Sequence, residues 1–161
     1  MDLAIWIVLG VFAGTLVVVA ALAWRPARTA WREKNLIRAR RDFHLHREHL
    51  EARFIKLAGS SGKPRGLDWV RCEFDDSVIY ARDRQSGELS AFVAIVIGFE
   101  AIEGGGMESV EAVGNLRAGT AVFRLHQGNW STDGRAIFNL NPTEAVRYFK
   151  KSLEMVGQEP C

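Results

Sequence analysis

Cysteine is nearly absent. The chain holds two, Cys72 and Cys161, and no CxxC pair. That excludes the disulfide framework of a small secreted domain and the paired-cysteine metal and redox motifs. Cys161 is the last residue rather than the fourth from the end, so it is not a prenylation site. Cys72 lies in a strand-like run and reads as a small buried apolar residue. A decisive net charge is lacking too. The 21 Lys and Arg against 19 Asp and Glu leave a formal +2, which makes no whole-chain case for a nucleic-acid partner. The small sum hides an asymmetry. Most of the basic excess lies between Arg25 and Lys56, whereas the part after Gly59 is slightly acidic, with Asp75, Asp76, Glu100, Glu103, Glu108 and Glu111.

Charge of either sign is missing from Leu3 to Ala23, "LAIWIVLGVFAGTLVVVAALA". At about 1.5 Å rise per residue, a helix of this length crosses a hydrocarbon core of about 30 Å. Trp6 and Trp24 lie near its two ends, where interfacial aromatics are favoured. A cleaved signal peptide is disfavoured: the flank "MD" has no positive n-region, and the apolar run exceeds the usual h-region. The sequence therefore predicts a transmembrane anchor over residues 1–24. Arg25, Arg28, Arg32, Lys34, Arg38, Arg40 and Arg41 follow it closely. By the positive-inside rule they put the C-terminal part in the cytoplasm and the N-terminus outside, the topology of a single-pass inner-membrane protein. Unpaired cysteines suit that reducing compartment. Gly10 and Gly14 share a helix face and would let a second copy approach, so a homodimer through that face is one expectation.

Residues 25–58 predict a basic juxtamembrane helix. Pro26 suits its first turn and Gly59 its end, with neither Gly nor Pro between. Leu36, Phe43, Leu50 and Leu57 recur every seven residues, but His46 and Arg53 break the second seam position of a coiled coil. The expectation is a stalk whose first half faces anionic headgroups and whose second half, Phe43 to Leu57, docks on the domain that follows. The arginines beside the membrane make lipid, not nucleic acid, the nearer polyanion. His44, His46 and His49 lie among Arg40, Arg41 and Arg47, which oppose a bound cation; no metal site is expected.

From residue 59 to 161 the periodicity turns to alternation, predicting a soluble α+β domain. "GLDWVRCEF", "SVIYARD", "LSAFVAIVIGFE", "NLRAGTAVFRLH" and "WSTDGRAIFNL" read as about five antiparallel strands, with a turn at Asp75-Asp76 and a bulge or bend at Asp133-Gly134. "NPTEAVRYFKKSLEMV" predicts a closing C-terminal helix, with Asn141 as N-cap, Pro142 in the first turn and Glu144 completing a capping box. A helix followed by an antiparallel meander resembles cystatin-like and NTF2-like folds in element order alone.

Chemistry-bearing motifs are scarce. Gly104, Gly105 and Gly106 interrupt an acidic link, and no GK[ST] follows them. Glu103, Glu108 and Glu111 would repel a phosphate, so partner contact or a mobile joint is expected there. Arg117 and Arg135 are further binding candidates. His126 and Asp133 flank a short turn and could form a base–orienter pair, without a nucleophile at recognisable spacing. No cofactor is implied. The expected function is a membrane-anchored module binding a protein or small ligand. The alternatives are a tethered enzyme using a concave sheet face and a pilin-like assembly subunit.

Overall fold

The computed structural model describes residues 2–61, 67–107, 109–110 and 114–160; within the first stretch, side chains are described at residues 6, 12–16, 18 and 33–60. The chain divides into two units, Met1–Asp42 and Phe43–Cys161. Helix α1, Asp2–Ser61, supplies the first unit and opens the second. Within the run from Leu3 to Ala23 the described large apolar side chains Trp6, Phe12, Leu16 and Val18 are exposed. Among the described residues no helix is long and apolar enough to cross a membrane; most of the run from Leu3 to Ala23 lies outside the described side chains. Gly10, Arg25, Arg28 and Arg32 lie outside them as well, while Gly14, Lys34, Arg38 and Arg41 are exposed.

The second unit is an α+β arrangement around one open antiparallel sheet. Its strands are β1 (Leu67–Asp83), β2 (Leu89–Ala101), β3 (Arg117–His126), β4 (Asn129–Ser131), β5 (Ala136–Phe138) and β6 (Leu153–Glu159). A short helix α2 (Pro142–Tyr148) precedes β6. The spatial order is β4-β3-β2-β1-β6, and β5 shares the β4 edge of β3. β3 and β4 meet at Gln127-Gly128, both with positive φ (50° and 82°), the two-residue turn whose twist matches flanking strands.

Each face of the sheet has its own helix. On one, Phe43, Leu50, Phe54 and Ala58 of α1 are buried at helical spacing. Phe43 meets Trp130 at 5.0 Å and Phe123 at 5.4 Å, and Phe54 meets Phe74 at 5.7 Å between ring centroids. Edge-to-face contacts of this kind stabilise beyond their area. Phe43 to Leu57 therefore docks as expected, although Ala58 is buried more deeply than Leu57 and Ile55 faces outward. His44 bonds Glu159 of β6 at 2.6 Å rather than Glu48 one turn along its own helix. On the other face, Ile79, Ala81, Phe92 and Val122 pack under Ala145 and Val146 of α2.

Three expectations need correction. Among the described residues the sheet has six strands, not about five. Asp75-Asp76 is not a turn: β1 continues through it for 17 residues, with a register shift against β2 between Phe74 and Val78. The Asp75 carboxylate accepts from Ser77 N–H at 2.7 Å, and Arg47 of α1 donates to the Asp75 and Asp76 carbonyls. Backbone groups that the irregularity removes from the ladder thus find partners. Third, the C-terminal helix ends at Tyr148. The N–H groups of Ser152 and Leu153 both turn back to the Phe149 carbonyl, at 2.9 and 2.8 Å. Residues 153–159 then pair with Val78–Asp83, the otherwise open edge of β1. Pairing a vacant edge outweighs the helical spacing of Leu153 and Val156.

Candidate functional site

The register of the β2–β3 hairpin builds a cleft on the α2 face. Opposed residues sit at Ser90↔Arg124 and Phe92↔Val122, so all four point to one side of the sheet. Beyond β3, the Val122 N–H donates to the Arg135 carbonyl at 3.2 Å, which brings Arg135 beside them. Phe92, Val122 and Ile137 line a cavity of about 350 Å³. Phe149, Ser152 and Leu153, where the chain leaves α2 for β6, also line it, as do Asp83 at the end of β1 and Glu88 just before β2.

Arg135 owes its place to the break between β4 and β5. Thr132 is buried there, and its hydroxyl donates to the Val122 carbonyl at 3.0 Å and accepts from Gly134 N–H at 3.1 Å. Gly134 has φ +75°, and a Cβ on it would stand 2.6 Å from the Ala58 nitrogen of α1. The bend seen in the sequence at Asp133-Gly134 thus does two things. It lets α1 close on one face of the sheet, and it sets Arg135 where the residue lines the cleft.

The charges of the cleft are unevenly matched. Asp83 accepts from the backbone N–H groups of Ser86 and Gln85, both at 2.8 Å; these bonds hold its carboxyl below the usual range. Glu88 pairs with His126 Nδ1 at 2.8 Å. Arg124 reaches Asp133 only at 3.8 Å, with both side chains about half exposed, a contact of small worth. Arg135 makes no ion pair among the described residues. Among the described residues Arg135 and Asp83 are the two charges of the lining left without an ion pair, beside an apolar floor. Such a site suits a small ligand with one anionic group and an apolar body, since guanidinium meets carboxylate or phosphate through two parallel hydrogen bonds.

The residues singled out in the sequence fall in different places. Arg135 lines the cleft. His126 and Asp133 do not pair with each other: one takes Glu88 and the other Arg124. The His126–Glu88 contact follows from the hairpin register, because Leu89 faces Leu125 and the next pair outward is Glu88 and His126. Gly104 and Gly106 adopt φ near +76° in an exposed turn, closed by a Gly105 N–H to Ile102 carbonyl bond of 2.8 Å. They lie outside the cleft lining, as does exposed Arg117. Glu108 falls outside the described residues. Arg124, Phe92, Val122 and Ile137 were missed as a group, since only the strand register unites them.

Arg135 also borders a second cavity of about 360 Å³ on the α1 face, with Ala58, Trp69 and Phe138. The Trp69 indole N–H is buried, with no hydrogen-bond partner among the described residues. Ala58 and Trp69 flank residues 62–66, which lie outside the described residues. Among the described residues no group of three His, Cys, Asp or Glu could hold a metal ion. Comparison with known proteins finds no matching family model, no matching curated protein and no matching solved structure.

Proposed function

We propose that the chain is a membrane-tethered binding module that captures a small organic anion in the cleft between the sheet and α2. The observation that carries the ligand is Arg135, exposed and without an ion pair among the described residues, in a cleft also lined by Phe92, Val122 and Ile137. The tether is supported by the uncharged run from Leu3 to Ala23 and by the exposure of its described apolar side chains. Arg25, Arg28, Arg32, Lys34, Arg38, Arg40 and Arg41 then lie against anionic headgroups, and the cleft faces the cytoplasm. Binding rather than turnover fits the absence of any nucleophile bonded to His126 among the described residues.

The test is ligand titration of the full chain in detergent with medium-chain and aryl carboxylates, followed by calorimetry. Arg135→Ala should weaken binding roughly tenfold to a hundredfold, the loss of a charge-assisted pair. Arg117→Ala, outside the cleft, should leave it unchanged. Equal affinity in Arg135→Ala and the parent chain would dispose of this site. The tether is tested separately: the chain should stay in the membrane fraction through alkaline carbonate, and deletion of residues 1–24 should release it.

A further inference from the structure

We propose that the free edge of β1 pairs antiparallel with the same edge of a second copy, about a two-fold axis at Cys72. β2 accompanies β1 from Leu67 to Arg82, but β6 reaches only Val78–Asp83 on its other side. From Leu67 to Ser77 no strand among the described residues takes that second edge. Between Arg71 and Phe74, clear of the Asp75 and Asp76 carbonyls that Arg47 takes, the backbone of this edge forms a template for another strand. Register shifts at Trp69/Arg71 and at Phe74/Val78 bound a regular run from Arg71 to Phe74.

The charges of that run select both the occupant and the register. A two-fold axis normal to the sheet keeps every side chain on its own face, so the axis must pass through a residue that meets its own copy. An axis at residue 71 sets Arg71 on the partner's Arg71. An axis at residue 73 sets Glu73 on the partner's Glu73. Like charges directly opposed are destabilising. An axis at Cys72 instead sets Arg71 on the partner's Glu73, and does so twice. Arg71 and Glu73 are exposed (60% and 57% for their side chains) and contact each other within the chain. An exposed pair is worth little alone, so exchanging the two intrachain pairs of a dimer for two pairs across the axis sacrifices little. The edge is therefore complementary to itself, and a second copy is the partner its chemistry fits.

Charge reversal tests this in the full chain by sedimentation equilibrium in detergent. The parent chain should dimerise. Arg71→Glu and Glu73→Arg should each raise the dimer dissociation constant roughly tenfold, because each places like charges together at both symmetry-related contacts. The double variant R71E/E73R restores complementarity and should return to the parent value. Both sites are exposed, and matching near-ultraviolet circular dichroism would verify that all four chains keep their fold. A parent chain monomeric at every concentration would overturn the proposal. So would a dimer that ignores the single reversals, as one held by Gly10 and Gly14 would, or a double variant no tighter than the singles.

Discussion

Two glycines with the same backbone angle carry very different burdens. Gly134 (φ +75°) has the Leu57–Ala58 backbone of α1 against the place a Cβ would occupy, while Gly104 (φ +77°) has no atom of the described residues within 4 Å of that place. An alanine at either position meets the left-handed backbone penalty of roughly 1 kcal/mol. Only at Gly134 must a helix also move. We expect Gly134→Ala to cost about 3 kcal/mol or more and Gly104→Ala about 1 kcal/mol in urea unfolding; equal losses would show that α1 does not rest on Gly134. Cys72 offers a chemical readout at the same scale. Burial, aided by the Glu51 carboxylate, pushes its thiol up to about 12. In a Cys161→Ser background, iodoacetamide at pH 8 should alkylate the folded chain roughly a hundredfold more slowly than the denatured chain. The linked stability is intact below about pH 8.5 and declines above it, where the unfolded thiol ionises and the folded one does not. Alkylation at the unfolded rate would place Cys72 in water.

At the scale of elements, the contact between α1 and the irregular stretch of β1 turns on Arg47. Its guanidinium serves Glu51 on its own helix at 2.6 Å and the carbonyls of Asp75 and Asp76 on the strand. Arg47→Ala should cost about 1–3 kcal/mol, and Arg47→Lys should recover only part of it, because an ammonium cannot reproduce the planar fork. An unchanged denaturation midpoint in Arg47→Ala would mean that water replaces the side chain without loss. Elements differ in how far the sequence announces them. The start of α2 was legible, because Asn141, Pro142 and Glu144 act locally: Asn141 accepts from Glu144 N–H at 2.9 Å and the Glu144 carboxylate accepts from Asn141 N–H at 3.1 Å. Its end was not legible. Leu153 and Val156 fit a helical stripe equally well, and only the vacant edge of β1, some seventy residues away, draws them into β6. The two aspartates of β1 misled for a similar reason. Asp75-Asp76 is turn chemistry in isolation, yet an unbroken β2 alongside and an arginine from α1 hold it within a strand.

Across the whole second unit, a single sheet serves two helices, and the candidate cleft occupies the face that the shorter one leaves partly open. The sequence by itself determined the uncharged N-terminal run, the helix-to-strand change near Gly59, the docking face from Phe43 onward, the bend at Asp133-Gly134 and the cap at Asn141. Each depends on residues within one or two turns of chain, where periodicity and local hydrogen bonding are readable. The tertiary structure alone decided the sixth strand, the partners of His126 and Asp133, the convergence of Arg135 on Phe92 and Val122, and the bare edge at Cys72. Those depend on strand register and on which edge stays vacant. Register is a choice among pairings distant in sequence, settled by burial of the whole sheet and not by any one segment.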